Sequence, residues 1–158
     1  MKKTSWAVIA LLTVTVAWGA GFVVMKPAMN KIDVYDFLAV RFTIAAGLMA
    51  LIRPSSLKAF KGDTLKYGIF LGVALGFSYI TQTIGLILST AAITSFITGL
   101  YVVLTPLLIW IFFRKRPQSI VALGVVLATA GLAFITIKDA HFDFGQIWTM
   151  LCALGFAL

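Results

Sequence analysis

AAITSFITGLYVVLTPLLIWIFF, residues 91–113, is the stretch that decides the fold, and Arg114-Lys115-Arg116-Pro117 closes it. Its 23 residues carry no charge. As a helix they extend about 35 Å, which is enough to cross the hydrocarbon core of a bilayer. Three consecutive cations mark the end that stays in the cytoplasm. The stretch therefore predicts a membrane-spanning helix of known direction, from which the other segments can be oriented.

The composition of the whole chain is that of an integral membrane protein. Of its 158 residues, 61% are hydrophobic and 11% are charged, far from the average of soluble proteins. The net charge of +8 does not indicate a nucleic-acid partner, because the cations lie in short loops between apolar segments, where they orient a membrane protein. Cys152 is the only cysteine, His141 is the only histidine and glutamate is absent. One copy therefore holds neither a disulfide nor a His/Cys metal cluster, and we expect no cofactor.

Apolar runs predict an all-α bundle with five complete spans and the start of a sixth. The predicted spans are residues 6–25, 37–52, 67–88, 91–113 and 119–137, and the sixth begins near Phe144. The first run is too long for the core of a signal peptide, so we expect it to be retained. Only Ser89 and Thr90 separate spans 3 and 4, which predicts an antiparallel hairpin. We expect residues 1–138 to form one five-helix unit, and residues 139–158 an outer loop and a truncated sixth span.

The cations fall mainly on one side of this topology. With the N-terminus in the cytoplasm, nine lie inside and four outside, which favours that orientation. Five spans is an odd number, so a second copy of the unit would enter the membrane upside down, as in many secondary transporters. The inner cations are Lys2, Lys3, Arg53, Lys58, Lys61, Lys66, Arg114, Lys115 and Arg116, and the outer ones are Lys26, Lys31, Arg41 and Lys138.

Four polar residues of span 4 are spaced 4, 3 and 4 apart and share one helix face: Thr94, Thr98, Tyr101 and Thr105. This face either lines a solute pathway, or its hydroxyls bond to carbonyls of their own or a neighbouring helix. Pro106 follows and predicts a kink, which we interpret as a packing bend rather than a gating hinge.

Small residues in spans 3 and 5 predict close helix packing. They are Gly68, Gly72 and Gly76 in span 3, and Gly124, Ala128 and Gly131 in span 5. The span 3 face continues through Tyr79. Gln82, in the same span, needs a hydrogen-bond partner inside the membrane, which a solute or another helix can supply.

Span 1 and the start of span 2 contain the remaining candidates. Trp18, Gly19 and Phe22 form either a flexible aromatic element facing a pathway, or an aromatic belt with a packing glycine. Arg41 is expected near the outer membrane surface, where it pairs with Asp36 or meets an anionic group of a solute.

Nothing in the sequence has the pattern of a catalytic site. No aspartate lies within a predicted span, and the lone histidine lies in an outer loop. Asp139, His141 and Asp143 are close in that loop but offer no fourth metal ligand, so we interpret them as loop residues. We therefore do not expect an enzyme.

Several short motifs occur in a defined order along the chain. They are Trp18-Gly19-x-x-Phe22, Arg41-Phe42-x-x-Ala45, Gln82-Thr83-x-Gly85-Leu86, and the run from Thr90 through Gly99-Leu100-Tyr101 to Pro106-Leu107-Leu108. With these motifs, residues 6–137 resemble the drug/metabolite transporter superfamily and, within it, the EamA domain.

The resemblance implies a bacterial inner-membrane transporter of ten helices in two inverted five-helix repeats. It would move small metabolites such as amino acids, often outward, through a cavity that spans 1, 3 and 4 help to line. By this resemblance the strongest lining candidates are Trp18, Phe22, Tyr79, Gln82, Thr98 and Tyr101.

Two other interpretations compete with a transporter half that works with a C-terminal repeat or a second copy. A small multidrug-resistance-like antiparallel dimer conflicts with the missing membrane glutamate and with the strong charge bias. A non-transporting membrane subunit, or an inactive truncated fragment, would use the glycine faces of spans 3 and 5 for assembly.

Overall fold

The structure, a computed structural model, describes residues 2–29, 31–55, 60–114, 119–138 and 143–158. Within these ranges the chain forms seven α-helices and no strand. In chain order they are α1 (Lys2–Ala28), α2 (Val34–Ile52), α3 (Gly62–Leu88), α4 (Ala91–Gly99), α5 (Tyr101–Phe113), α6 (Ser119–Lys138) and α7 (Phe144–Ala157).

Side-chain caps begin three of these helices. Asp33 accepts a hydrogen bond from the backbone N–H of Tyr35 at 2.8 Å and starts α2. Thr90 caps α4, and Asp143 accepts from the N–H of Gln146 at 2.9 Å at the start of α7. Each cap satisfies a backbone donor that has no partner inside its own helix. Asp143 of the predicted outer loop is thus a capping residue, whereas Asp139 and His141 lie outside the described residues.

The helices form a polytopic membrane bundle. Among the described residues, four stretches are long and apolar enough to cross a bilayer: Trp6–Ala28, Val34–Ile52, Gly62–Leu88 and Ala91–Phe113. The fifth predicted span is α6, with 20 residues, and α7 is a shorter apolar helix. Large hydrophobic side chains are exposed on most helices, as expected of surfaces that face lipid rather than water.

The fourth predicted span is two helices rather than one. The helix is interrupted at Leu100, whose N–H donates to the carbonyl of Ile97 at 3.1 Å, and α5 then runs on through Pro106. This interruption was not predicted, and the kink expected at Pro106 stays a prediction. Gly99 precedes the break, and glycine favours a helix interior less than any residue except proline. The polar face of span 4 is consequently divided between two helices.

The tightest packing in the bundle joins α3 to α7, which run antiparallel. Gly85 lies against Gly145 and Thr149, and Gly155 lies against Ser78. A methyl group on Gly145 would stand 2.8 Å from the carbonyl oxygen of Gly85, so both glycines are needed for this approach. The predicted start of a sixth span is therefore a central helix of the described bundle.

The glycines that were predicted to pack have few neighbours within the described residues. A methyl group added to Gly68, Gly72 or Gly76 would meet no atom within 4 Å. The same holds for Gly19 and Gly124. A methyl group added to Gly131 would stand 3.4 Å from the ring of Phe96. Of the glycines predicted to pack, only Gly131 has a neighbouring side chain among the described residues.

Lys26, near the end of α1, caps the C-terminal end of α3. Its Nζ donates to the carbonyl oxygens of Leu86, of Ile87 at 2.8 Å and of Ser89 at 2.5 Å. The last carbonyls of a helix lack partners within the helix and carry partial negative charge, so a cation there is favourable. This contact joins the ends of two spans that lie far apart in sequence.

We expect Lys26→Met to lower the free energy of unfolding by about 1 kcal/mol, because the carbonyls of α3 lose this cation. Thermal unfolding of the purified protein in detergent measures the effect. Lys31→Met is the matched control, since Lys31 is exposed and lies five residues further along the chain. Equal midpoints for the two variants would contradict the capping role.

Candidate functional site

Five rings from five helices form one aromatic cluster: Trp18, Phe42, Tyr79, Tyr101 and Phe156. Phe156 of α7 lies at its centre, with ring centroids 5.2 Å from Tyr79, 6.0 Å from Tyr101 and 6.3 Å from Trp18. Trp18 also lies 6.0 Å from Tyr101, and Phe42 lies 5.2 Å from Tyr79. These distances and the mainly edge-to-face angles are those of favourable aromatic pairs. The cluster therefore holds α1, α2, α3, α5 and α7 around one point.

A buried polar group lies beside the aromatic cluster and consists of Gln82, Thr98 and Cys152. The Gln82 amide Nε2 donates to the Thr98 hydroxyl at 3.4 Å. The Cys152 thiol is within hydrogen-bonding reach of both side chains, and all three residues are buried. Gln82 thus finds its partners on α4 and α7, as a carboxamide within a membrane span requires.

Two clefts meet along α1, and Trp18 and Phe22 line both of them. The smaller has a volume of about 70 Å³ and the larger about 240 Å³. The smaller is lined by Ala17, Trp18, Gly21, Phe22, Met25, Arg41 and Gln82. The larger is lined by Thr15, Trp18, Gly19, Phe22, Ser95, Thr98, Gly99, Tyr101 and Val102. Aromatic side chains with a few polar groups are the usual lining of a small-molecule site.

Arg41 points into the bundle instead of pairing with Asp36. Its guanidinium carbon lies 4.8 Å from the centre of the Tyr79 ring, and its NH1 lies 3.4 Å from the Met25 sulfur. Among the described residues, no carboxylate is within 4 Å of it. Tyr79 is nine residues before the end of α3, or about 14 Å along the helix, so the guanidinium lies inside the bundle rather than at the end of that helix. On insertion scales an arginine at the centre of a membrane helix costs about 3 kcal/mol, and less where its side chain reaches an interface.

The structure brings most of the sequence-predicted pathway residues together and leaves two apart. Trp18, Phe22, Arg41, Tyr79, Gln82, Thr98 and Tyr101 lie in the aromatic cluster, the buried polar group or the clefts. Thr94 is buried and donates to the carbonyl of Gly85 at 3.5 Å. Thr105 donates to the carbonyl of Tyr101 in its own helix at 2.7 Å. Of the two alternatives for the face of span 4, these two threonines therefore follow the second, in which the hydroxyl bonds to a backbone carbonyl.

The sequence reasoning missed the contribution of α7 to the site. Cys152 and Phe156 come from the sixth apolar stretch, which the sequence predicted only as the truncated start of a further span. The signal was present, because Gly145, Thr149, Cys152 and Phe156 repeat the spacing of 4, 3 and 4 that singled out the face in span 4. That spacing predicts one helix face, and the structure buries three of its members against α3 and α4.

The chemistry that the site offers is binding. Aromatic faces accept apolar groups, the Gln82 amide and Thr98 hydroxyl exchange hydrogen bonds, and the Arg41 guanidinium attracts negative charge. Within the described ranges, no group of three His, Cys, Asp or Glu side chains could hold a metal ion. A small solute with polar and apolar parts fits this set of groups.

Comparisons with known proteins agree with the architecture. Residues 5–137 match the model of the EamA-like transporter family. The chain is also 35% identical over 158 residues to an uncharacterized transporter of Archaeoglobus fulgidus. That alignment covers 98% of this chain and 47% of the relative, so the chain spans about half of the relative's length. No solved structure matches the chain. From the family match, together with the membrane bundle described above, the chain belongs to the EamA-like transporter family.

Proposed function

We propose that this chain is the N-terminal half of a secondary transporter that exports small metabolites, such as amino acids, across the cytoplasmic membrane. Residues 1–138 would be the first five-helix repeat, and α7 would open the second. Transport of this kind needs no catalytic step and no cofactor.

The convergence of predicted lining residues on one point supports this proposal best. Trp18, Tyr79 and Tyr101 were selected from separate spans, and their rings meet around Phe156. The Gln82 amide lies beside them and lines the smaller cleft. A mixed aromatic and polar cavity between helices is the kind of site that holds a solute during alternating access.

Alternating access needs a second wall opposite this site. Trp18 remains 37% exposed, and both clefts are open along α1, which leaves that side free for further helices. An inverted repeat, from the same polypeptide or from a second copy, would supply the wall. The Archaeoglobus relative is about twice as long as the aligned region, which agrees with a two-repeat plan.

Reconstitution tests the proposal directly. The full-length gene product, purified and placed in lipid vesicles loaded with a mixture of radiolabelled amino acids, should release label faster than protein-free vesicles. An unrelated membrane protein of similar size, reconstituted at the same density, controls for leakage. Release at the rate of the protein-free vesicles, repeated with labelled sugars and organic acids, would contradict a transport function.

One observation favours a second candidate function, that of a non-transporting subunit. Gly68, Gly72 and Gly76 form an open face on α3 that no described helix covers. Such a face lets another helix approach closely. If assembly is the function, Gly72→Leu should reduce the assembled species on a native gel, and vesicle release should equal that of empty vesicles.

A further inference from the structure

We infer that Arg41 and the smaller cleft form a subsite for the carboxylate group of the solute, an inference that rests on the proposed function. The guanidinium lines this cleft together with Trp18, Phe22 and Gln82. The solute class is thereby narrowed to small monocarboxylates with an apolar part.

The contacts of Arg41 leave most of its hydrogen-bonding capacity unused. A guanidinium has five N–H donors in a planar fork and is charged at every physiological pH. Among the described residues its contacts are the face of the Tyr79 ring and the Met25 sulfur, which is a weak acceptor. No carboxylate of the described residues lies within 4 Å. Arg41 is partly buried, and a partly buried cation without a counter-ion attracts an anion that enters beside it.

The cleft is large enough for a carboxylate. Its volume of about 70 Å³ is several times the roughly 10–15 Å³ that a cavity needs to hold one water molecule. A carboxylate has two oxygens at the spacing that a guanidinium fork binds with two parallel hydrogen bonds. The larger cleft of about 240 Å³ shares Trp18 and Phe22 and would take the apolar part of the same molecule.

The position of Arg41 favours a solute over a lipid phosphate as the source of the bound anion, although both offer oxyanions. Tyr79, over which the guanidinium lies, is about 14 Å along the helix from the end of α3. The hydrocarbon core of a bilayer is about 30 Å thick, and headgroup phosphates lie outside it. A lipid phosphate at or beyond the end of α3 would therefore have to move about 14 Å along the helix to reach the level of Tyr79.

Binding of matched acids and amides tests the subsite. The full-length protein in neutral phosphatidylcholine bilayers is titrated with straight-chain carboxylates of two to six carbons, and with their primary amides, while tryptophan fluorescence is recorded. We expect the best carboxylate to bind at least about tenfold more tightly than its amide. This preference should vanish in Arg41→Gln, be partly kept in Arg41→Lys, and be unchanged in Lys31→Gln, an exposed cation elsewhere.

The inference is overturned if no carboxylate binds better than its amide to the wild type, or if Arg41→Gln keeps the preference. It is also overturned if a preference appears only for anionic phosphatidylglycerol added to the bilayer, because Arg41 would then be a lipid site. The wild-type comparison requires no variant to fold. If vesicles release solute but the protein binds carboxylates no better than amides, the subsite is rejected and the transport function stands. If the protein prefers carboxylates but vesicles release no solute, the transport function is rejected and the subsite stands.

Discussion

Gly85→Ala is expected to lower the free energy of unfolding by about 3 kcal/mol, because the added methyl group meets backbone atoms that cannot move aside. It would stand 2.9 Å from the carbonyl oxygen of Gly145 and 3.1 Å from the backbone nitrogen of Thr149. Accommodating it requires α3 and α7 to separate, and this separation opens the most closely packed part of the bundle.

Gly72→Ala is the matched control, since it places the same methyl group on the same helix where no atom lies within 4 Å. Alanine favours a helix more than glycine does by about 1 kcal/mol, so this variant should be unchanged or slightly more stable. Unfolding of both purified variants by titration with dodecyl sulfate, followed by circular dichroism, gives the comparison. Equal losses at the two positions would show that α7 does not pack on α3 as described.

Gln82→Ala and Tyr101→Ala are each expected to abolish solute release from vesicles, a fall of at least about tenfold, without lowering the amount of protein in the membrane. Gln82→Ala leaves the Thr98 hydroxyl and the Cys152 thiol without their amide partner and widens the smaller cleft. Tyr101→Ala removes a ring that contacts Trp18 and Phe156, so the apolar part of the solute loses its wall.

Tyr67→Ala is the control for these variants, because Tyr67 is an exposed tyrosine at the start of α3. Its release rate should equal that of the wild type. Initial rates in vesicles and immunoblots of the same preparations measure activity and protein level together. Normal release in both Gln82→Ala and Tyr101→Ala would refute the site assignment and leave the fold unaffected.

The sequence predicted the helices closely because membrane spans are long and almost free of charge. The predicted starts at Ala91, Ser119 and Phe144 agree with α4, α6 and α7, and the two-residue link between spans 3 and 4 is confirmed. The break at Leu100 was missed, since a single glycine in an apolar run changes hydropathy little. The cap by Lys26 was also missed, because it joins residues about 60 positions apart.

For the site, the sequence predicted which residues share a helix face, but it did not predict which helices contact one another. The spacing of Thr98 and Tyr101 placed both on one face, and both lie at the site, although the helix is interrupted between them. The same spacing included Thr94 and Thr105, which bond to carbonyls instead. Whether a hydroxyl faces a cleft or a carbonyl depends on the neighbouring helix, which a single span does not specify.

The close packing of α7 on α3 has a consequence for how the protein is made. Helices leave the ribosome in sequence order, so α3 enters the bilayer before α7 has been synthesised. Until then Ser78 and Gly85 lack the α7 residues that lie against them, although both are buried in the described bundle. During translation this face of α3 therefore stays without its closest packing partner until the sixth apolar stretch has been made.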